Sequence, residues 1–291
     1  MGKFSDQVKP NVYIVGFQKC GSSSLFDLLA SHPRIVGSEP KETFALVDAQ
    51  SEHFHPEENI QNPDFSFDRY YSNEASQATY LLEGSVVNFY QETALDYIAA
   101  IPHSKVVFIL RDPIDRLRSN FRYYSDTGLH IGLNEQMSDY LDKVKNKSYT
   151  KEALNFALEH GRYLPYIERW QERLGSERVL VLELHELADN AALNQKLSNF
   201  LDVEADGFVQ IEKNNVSTGV RFAVLNKFFV QHLSGMRKIL KNIPGAQKLF
   251  KQIITKPIEP NDQDFTHADL QFLRSYYQVE LEWLDQKRQN R

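Results

Sequence analysis

Val12-Tyr-Ile-Val-Gly16-Phe-Gln-Lys19-Cys20-Gly21-Ser22-Ser23-Ser24-Leu25 is an apolar strand pattern that runs into a glycine- and serine-rich turn and then into a helix. The frame Gly16-x4-Gly21 suits a loop that wraps an anion in backbone N–H groups at a helix N-terminus, where the aligned peptide dipoles leave partial positive charge. Kinase and GTPase loops put Lys directly after the second glycine. Here Ser22 stands there, and Lys19 lies two residues before Gly21. A lysine inside the turn addresses a different atom of the anion from one on the helix, so this spacing predicts a ligand group other than the β/γ-phosphates of ATP.

Working outward, residues 22 to 31 continue as a helix with Leu25, Phe26, Leu28 and Leu29 on its apolar side, stopped at His32-Pro33. Short continuous apolar runs at Tyr80–Leu82, Lys105–Leu110 and Arg178–Leu182 fit buried parallel strands. Helical patterns lie between them, at 113–124 and at 152–173, with Gly175 near the end of the second, and a packing helix is expected over 265–287. Alternating strands and helices predict an α/β fold: a P-loop-like central parallel sheet flanked by helices on both faces. Residues 51–79 are polar, punctuated by Phe54, Phe65, Phe67, Tyr70 and Tyr71 and without period, as in a long irregular binding loop.

The 291 residues, 42% of them hydrophobic, suffice for one domain spanning 1–291. Cys20 is the only cysteine, which excludes an internal disulfide and all-cysteine metal sites and fits a reducing compartment. No apolar run approaches the roughly 20 residues of a membrane span, and no apolar signal core opens the chain, so a cytoplasmic location is expected. The net charge of −6 argues against nucleic acid or another long polyanion as partner. Against that acidic whole, Arg221 to Lys256 holds eight Lys or Arg and no Asp or Glu. It reads as a solvated basic face, as a flap over a bound anion that would bring Asn214, Asn215, Ser217 and Arg221 to it, or, third because aromatic-basic interleaving is sparse, as a membrane-surface or nucleic-acid contact.

A second candidate anion subsite follows the strand ending at Leu110: Arg111-Asp112-Pro113-Ile114-Asp115-Arg116-Leu117-Arg118-Ser119. Pro113 suits the first turn of a helix, which leaves Arg111 at the carboxyl end of its strand, the edge where open α/β sheets bind ligands and where Lys19 also falls. The guanidinium fork can hold two oxygens of a phosphate at once, or it can pair with Asp112 or Asp115.

The displaced lysine, with strand-Arg-x-Pro-x-x-Arg-x-x-Ser some 90 residues later, resembles the sulfotransferases that use 3′-phosphoadenosine 5′-phosphosulfate (PAPS). Pro40-Lys41-Glu42-Thr43-Phe44 is similar to a Lys-Glu-x-x-Phe segment of heparan-sulfate and related bacterial sulfotransferases, and Gly161-Arg162-Tyr163 and Leu182-Glu-Leu-His-Glu186-Leu187 extend the likeness, which covers about residues 10 to 205. The resemblance implies that Lys19, Cys20, Gly21, Ser22, Ser23 and Ser24 hold the 5′-phosphosulfate, with Lys19 on the bridging oxygen, and that Arg111 and Ser119 hold the 3′-phosphate. Tyr163, Ser217 and Arg221 join the cofactor set. Glu42 becomes the general base, with an ion pair to Lys41 or Lys19 as its bland alternative and His130 as an alternative base.

One departure is plain. Where members acting on heparan sulfate show Glu-Lys-[Ser/Thr]-Pro, this chain has Glu83-Gly84-Ser85-Val86, without the lysine. With the acidic net charge, this points to a neutral or cationic small-molecule acceptor, a natural product such as an alkaloid or polyketide, with a carbohydrate or lipid-linked sugar as the alternative. The expected chemistry is in-line sulfuryl transfer to a hydroxyl or amine, releasing 3′-phosphoadenosine 5′-phosphate (PAP), and it requires no metal. His53-Phe-His55 alone is a weak metal signal. A P-loop kinase with a degenerate motif and a nucleotide-binding scaffold without chemistry are the rival readings.

Overall fold

Val12–Gly16 forms β1, and all five of its residues are buried, which is why a two-faced apolar run appears there in place of an alternating one. The computed structural model describes residues 8–127, 130–132, 135–209, 218–220, 255–257 and 264–289. In it β1 is the centre of a five-stranded, wholly parallel sheet completed by β2 (Ile35–Gly37), β3 (Tyr80–Glu83), β4 (Lys105–Leu110) and β5 (Val179–Glu183), in the order β2-β3-β1-β4-β5. Val12 lies opposite Leu82 on one side and Lys105 on the other, and the register on β4 shifts between Ile14 and Gly16 as the chain leaves the sheet. Because the strands are parallel, the turns after all five gather at one edge.

Helices α1 (Ser22–Ala30), α2 (Glu92–Ala100), α3 (Pro113–Thr127), α4 (Met137–Lys145), α5 (Glu152–Asn155), α6 (Leu164–Leu174), α7 (Asn190–Leu201), α8 (His267–Tyr276) and α9 (Gln278–Gln289) complete the α/β fold expected from the sequence. The described residues fall into two compact units, one of residues 8–112 with 162–209, the other of residues 113–161 with those from 218 onward. In the first, Trp170 of α6 is fully buried, donates its indole N–H to the Phe89 carbonyl at 2.9 Å and meets Phe108 edge-on at 6.2 Å. Phe17 packs on Phe89 with ring centroids 4.4 Å apart. Each of these aromatics contributes about 1.5–3 kcal/mol by leaving water. In the second unit Leu117, Phe121, Tyr140, Leu141, Leu154 and Tyr277 form the core. Arg116 is buried among them and donates to the Ala157 carbonyl. Burial and the nearby Arg116 charge push the buried His160 down to about 3.

Two of the expected helices are broken. The run 152–173 divides into α5, a single turn at Glu159–Gly161 and α6. Pro165 has no N–H to continue a helix arriving from 161 and is accommodated only in the first turn of a new one. Gly161 has no room for a Cβ, which would lie 2.6 Å from the Tyr277 hydroxyl. The segment 265–287 divides at Tyr277 into α8 and α9. Residues 51–79 hold only single 3-10 turns, as an irregular excursion should. Its Phe65, Phe67 and Tyr70 are buried, Phe65 and Phe67 edge-to-face at 4.9 Å, so these rings pack against the protein. Among the described residues, no helix is long and apolar enough to cross a membrane.

Candidate functional site

The turn between β1 and α1 owes its shape to two left-handed residues, Lys19 (φ 65°) and Gly21 (φ 94°, ψ 16°). Gly21 is required twice over: the backbone is strained for any L-residue, and a Cβ would lie 2.5 Å from Leu184 Cδ1 and 3.2 Å from Leu187 Cδ1, in the segment that leaves β5. The first i→i−4 bond of α1 runs from the Leu25 N–H to the Gly21 carbonyl at 3.1 Å, so the N–H groups of Ser22, Ser23 and Ser24 stand ahead of the helical ladder. No side chain caps this end and no carboxylate occupies its first turn. Ser23 and Ser24 are exposed and Ser22 is buried. An anion is the chemical complement of such an end.

The turn is tied to the end of β4. The Phe17 N–H donates to the Ile109 carbonyl at 3.1 Å. Cys20 and Tyr163 are both fully buried. The Cys20 Sγ lies 3.9 Å from the Tyr163 hydroxyl, and that hydroxyl donates to the Arg111 carbonyl at 2.9 Å. The Tyr163 ring also packs on Phe17, with centroids 4.6 Å apart. Cys20 and Tyr163 therefore hold Lys19 and Arg111 in one frame from behind. The interruption before α6 has a purpose here, since it delivers Tyr163 to that frame.

A second group reaches α1 from β2 and β3. Lys41 Nζ donates to Gly84 O at 2.9 Å, to Glu42 Oε1 at 2.9 Å and to Ser22 Oγ at 3.3 Å. The Lys41 carbonyl accepts from the Gly84 N–H at 3.0 Å and from Ser38 Oγ at 3.0 Å, so the residue is held at both ends. Its stem occupies the space beside Gly84, where a Cβ would lie 2.9 Å from Lys41 Cγ and 2.9 Å from Phe26 Cδ2. Glu42 is thus ion-paired with Lys41, the bland alternative weighed for it, and both side chains keep some exposure, 32% and 18%. Burial raises the Asp27 carboxyl, one turn into α1, while the Lys41 charge lowers it.

Beneath this pair, the fully buried Glu83 at the end of β3 fixes the segment that carries it. Its carboxylate accepts from Thr43 N at 3.2 Å, Thr43 Oγ1 at 3.0 Å, Ser85 N at 3.0 Å, Asn88 Nδ2 at 3.2 Å and the Ser85 hydroxyl. Burial pushes Glu83 up, and the bonds from Ser85 and Thr43 pull it back. Glu83→Ala should lower stability by about 2 kcal/mol or more, because several buried donors lose their acceptor at once; an unchanged Tm would show that the clamp contributes nothing.

Among the other candidates, Arg111 is partly exposed at the end of β4. Ser119 lies in α3 of the second unit, partly exposed; His130, beyond the end of α3 in the same unit, is exposed, with its ring 5.8 Å from Tyr124. Ser217 and Arg221 lie outside the described residues, together with Asn214, Asn215 and most of the basic run. His53 stacks on Phe44 at 4.3 Å and lies 3.5 Å from Glu52. Two residues escaped sequence reasoning. Lys41 was weighed only as a neighbour of Glu42, although glycine at 84, just past a strand, signals that another side chain needs the space. Glu83 carried no signal beyond a carboxylate ending an apolar run.

A family model described as "Sulfotransferase family" matches residues 10–206. The chain is 26% identical over 247 residues to a bifunctional heparan sulfate N-deacetylase/N-sulfotransferase 1 of Caenorhabditis briggsae, which covers 82% of this chain and 27% of that protein. It is 24% identical over 245 residues to a carbohydrate sulfotransferase 15 of Rattus norvegicus, covering 67% of this chain and 44% of that one. The chain therefore spans less than half the length of either relative. A solved sulfotransferase from Alicyclobacillus acidocaldarius shares the fold at TM-score 0.56 and 22% identity, covering 82% of this chain and 99% of that one.

Proposed function

Since the chain belongs to the sulfotransferase family, we propose that it moves a sulfuryl group from PAPS to a hydroxyl or amine of a small-molecule acceptor and releases PAP. The observation that carries this is the uncapped, carboxylate-free start of α1 with Lys19 set inside the turn before it. In this reading the N–H groups of Ser22 to Ser24 receive the 5′-phosphosulfate. Lys19 meets the bridging oxygen, where charge collects as the S–O bond breaks. Arg111 and Ser119 take the 3′-phosphate, with Ser217 and Arg221 completing the nucleotide site, and Cys20 and Tyr163 keep the loop in shape. Glu42 accepts the proton that the acceptor loses as its oxygen or nitrogen bonds to sulfur; His130 is the alternative. The whole of 1–291 serves as one functional domain, metal ions are assigned no step, and a cytoplasmic location is supported by the lone cysteine.

For the acceptor, the net charge of −6 favours a neutral or cationic small natural product over a polyanion. A carbohydrate or lipid-linked sugar is the second reading, favoured by the names of the two relatives.

Thermal unfolding with PAP, with ATP-Mg²⁺ and in buffer alone tests the donor site. Excess PAP at a hundredfold over Kd should stabilise the fold by about 2.7 kcal/mol, and Arg111→Ala should remove most of that shift at the same PAP concentration. A shift with ATP-Mg²⁺ and none with PAP would replace this reading with a kinase. PAP binding with no turnover of PAPS on any acceptor would leave a nucleotide-binding scaffold.

A further inference from the structure

Lys41 has two possible employers on one short tether. Its ammonium lies between the Glu42 carboxylate, at 2.9 Å, and Ser22 Oγ, at 3.3 Å, and Ser22 is the first residue of α1, at the anion-receptive end. The backbone cannot follow it in either direction, since the Lys41 carbonyl is held by the Gly84 N–H and Ser38 Oγ, and Glu83 fixes Thr43 on the other side of Glu42. Only the side chain can change partners. The ammonium occupies Glu42 Oε1, an oxygen that an incoming proton would otherwise reach.

We propose that the donor itself unlocks the base: an anion seated on α1 draws the Lys41 ammonium from Glu42 to its 5′ end, which adds a second cation beside Lys19 and leaves the Glu42 carboxylate without its ion pair. This deepens the sulfotransferase reading and rests on it. The ammonium keeps its protons throughout; the exchange alters only which anion it faces. Glu42 then takes the acceptor's proton in the step that forms the new bond to sulfur. An acceptor arriving first meets a Glu42 carboxylate still engaged by Lys41, so the donor must bind before chemistry can start. Gly84 fits this exchange, since it clears the track along which the Lys41 stem lies.

Calorimetry with PAP and with adenosine 3′-monophosphate, which lacks the 5′-phosphate, tests the first half. Lys41→Met keeps the apolar stem over Gly84. It should weaken PAP at least tenfold and leave adenosine 3′-monophosphate within twofold. Gly84→Ala, which displaces the lysine while keeping its charge, should weaken PAP in the same ligand-selective way. The crystal structure of the wild-type PAP complex tests the second half and depends on no variant: Lys41 Nζ should lie within hydrogen-bond distance of the 5′-phosphate and beyond 4 Å, roughly the limit of an ion pair, from Glu42. Equal losses for both ligands, or a PAP complex in which Lys41 still pairs with Glu42, would overturn the exchange while the donor site stands. Failure of the wild type to bind PAP at all would instead remove the donor reading beneath it.

Discussion

Lys19→Ala should lower kcat for sulfuryl transfer by about 10²–10³-fold, the usual cost of removing one preorganised group aimed at developing charge. The expectation comes from where the lysine sits. It occupies the turn itself, in a left-handed conformation at φ 65°, two residues before Gly21, the N-cap of α1. The backbone N–H groups of α1 remain in the variant and continue to hold the 5′ group, so PAP affinity should fall far less than kcat. Alanine at that φ carries about the same backbone strain as lysine, and the unliganded Tm should move little. Single-turnover rates with PAPS, set beside PAP affinity, separate the two effects. A variant retaining a third or more of wild-type kcat would remove Lys19 from the chemistry; equal losses in affinity and rate would make it a binding group only.

Gly21→Ala should abolish useful donor binding, with PAP affinity falling by about 100-fold or more and stability by about 1–3 kcal/mol. Two costs combine. The backbone at φ 94° disfavours a Cβ, and the new methyl would press on Leu184 Cδ1 at 2.5 Å. Relief requires the turn to shift or the Leu184 side chain to give way. Adding Leu184→Ala should recover part of the stability by removing the collision, and little of the affinity, because the φ penalty remains. Tm values for the two variants together with PAP calorimetry check this. Near wild-type affinity in Gly21→Ala would mean that the left-handed turn is not needed to shape the cradle.

Much of this arrangement was legible in the residues because parallel strands are buried on both faces and write themselves as unbroken apolar runs. Val12–Gly16 and Lys105–Leu110 are such runs, and the glycine frame after the first marks its turn. Ile35–Gly37 is three residues long, too short to stand out from a loop. The segment 152–173 reads as one helix because Leu154, Ala157, Leu164 and Ile167 keep helical spacing across the break, and the meaning of Pro165 depends on whether a helix starts or continues there. Residues 65–70 look like exposed aromatics in polar sequence, since nothing local tells that tertiary packing covers them. The contact between Lys41 and Ser22 joins the loop after β2 to the first residue of α1, after β1. Only the sheet order brings those segments together.

The Leu184 methyl behind Gly21 also has a meaning in time. Gly21 is near the start of the chain, and the side chains that back its turn come from residues 184 and 187, after the last strand of the sheet. The turn therefore has its full support only once some 160 further residues have been synthesised and β5 has joined β4, pairing Val106 with Val179. Contacts of such large sequence separation close late and slowly. A ligand that binds only the finished loop then acts after the rate-limiting steps: it should slow unfolding and leave the folding rate unchanged. During synthesis the early glycine turn lacks the Leu184 and Leu187 side chains that back it, and it gains them only after β5 has emerged.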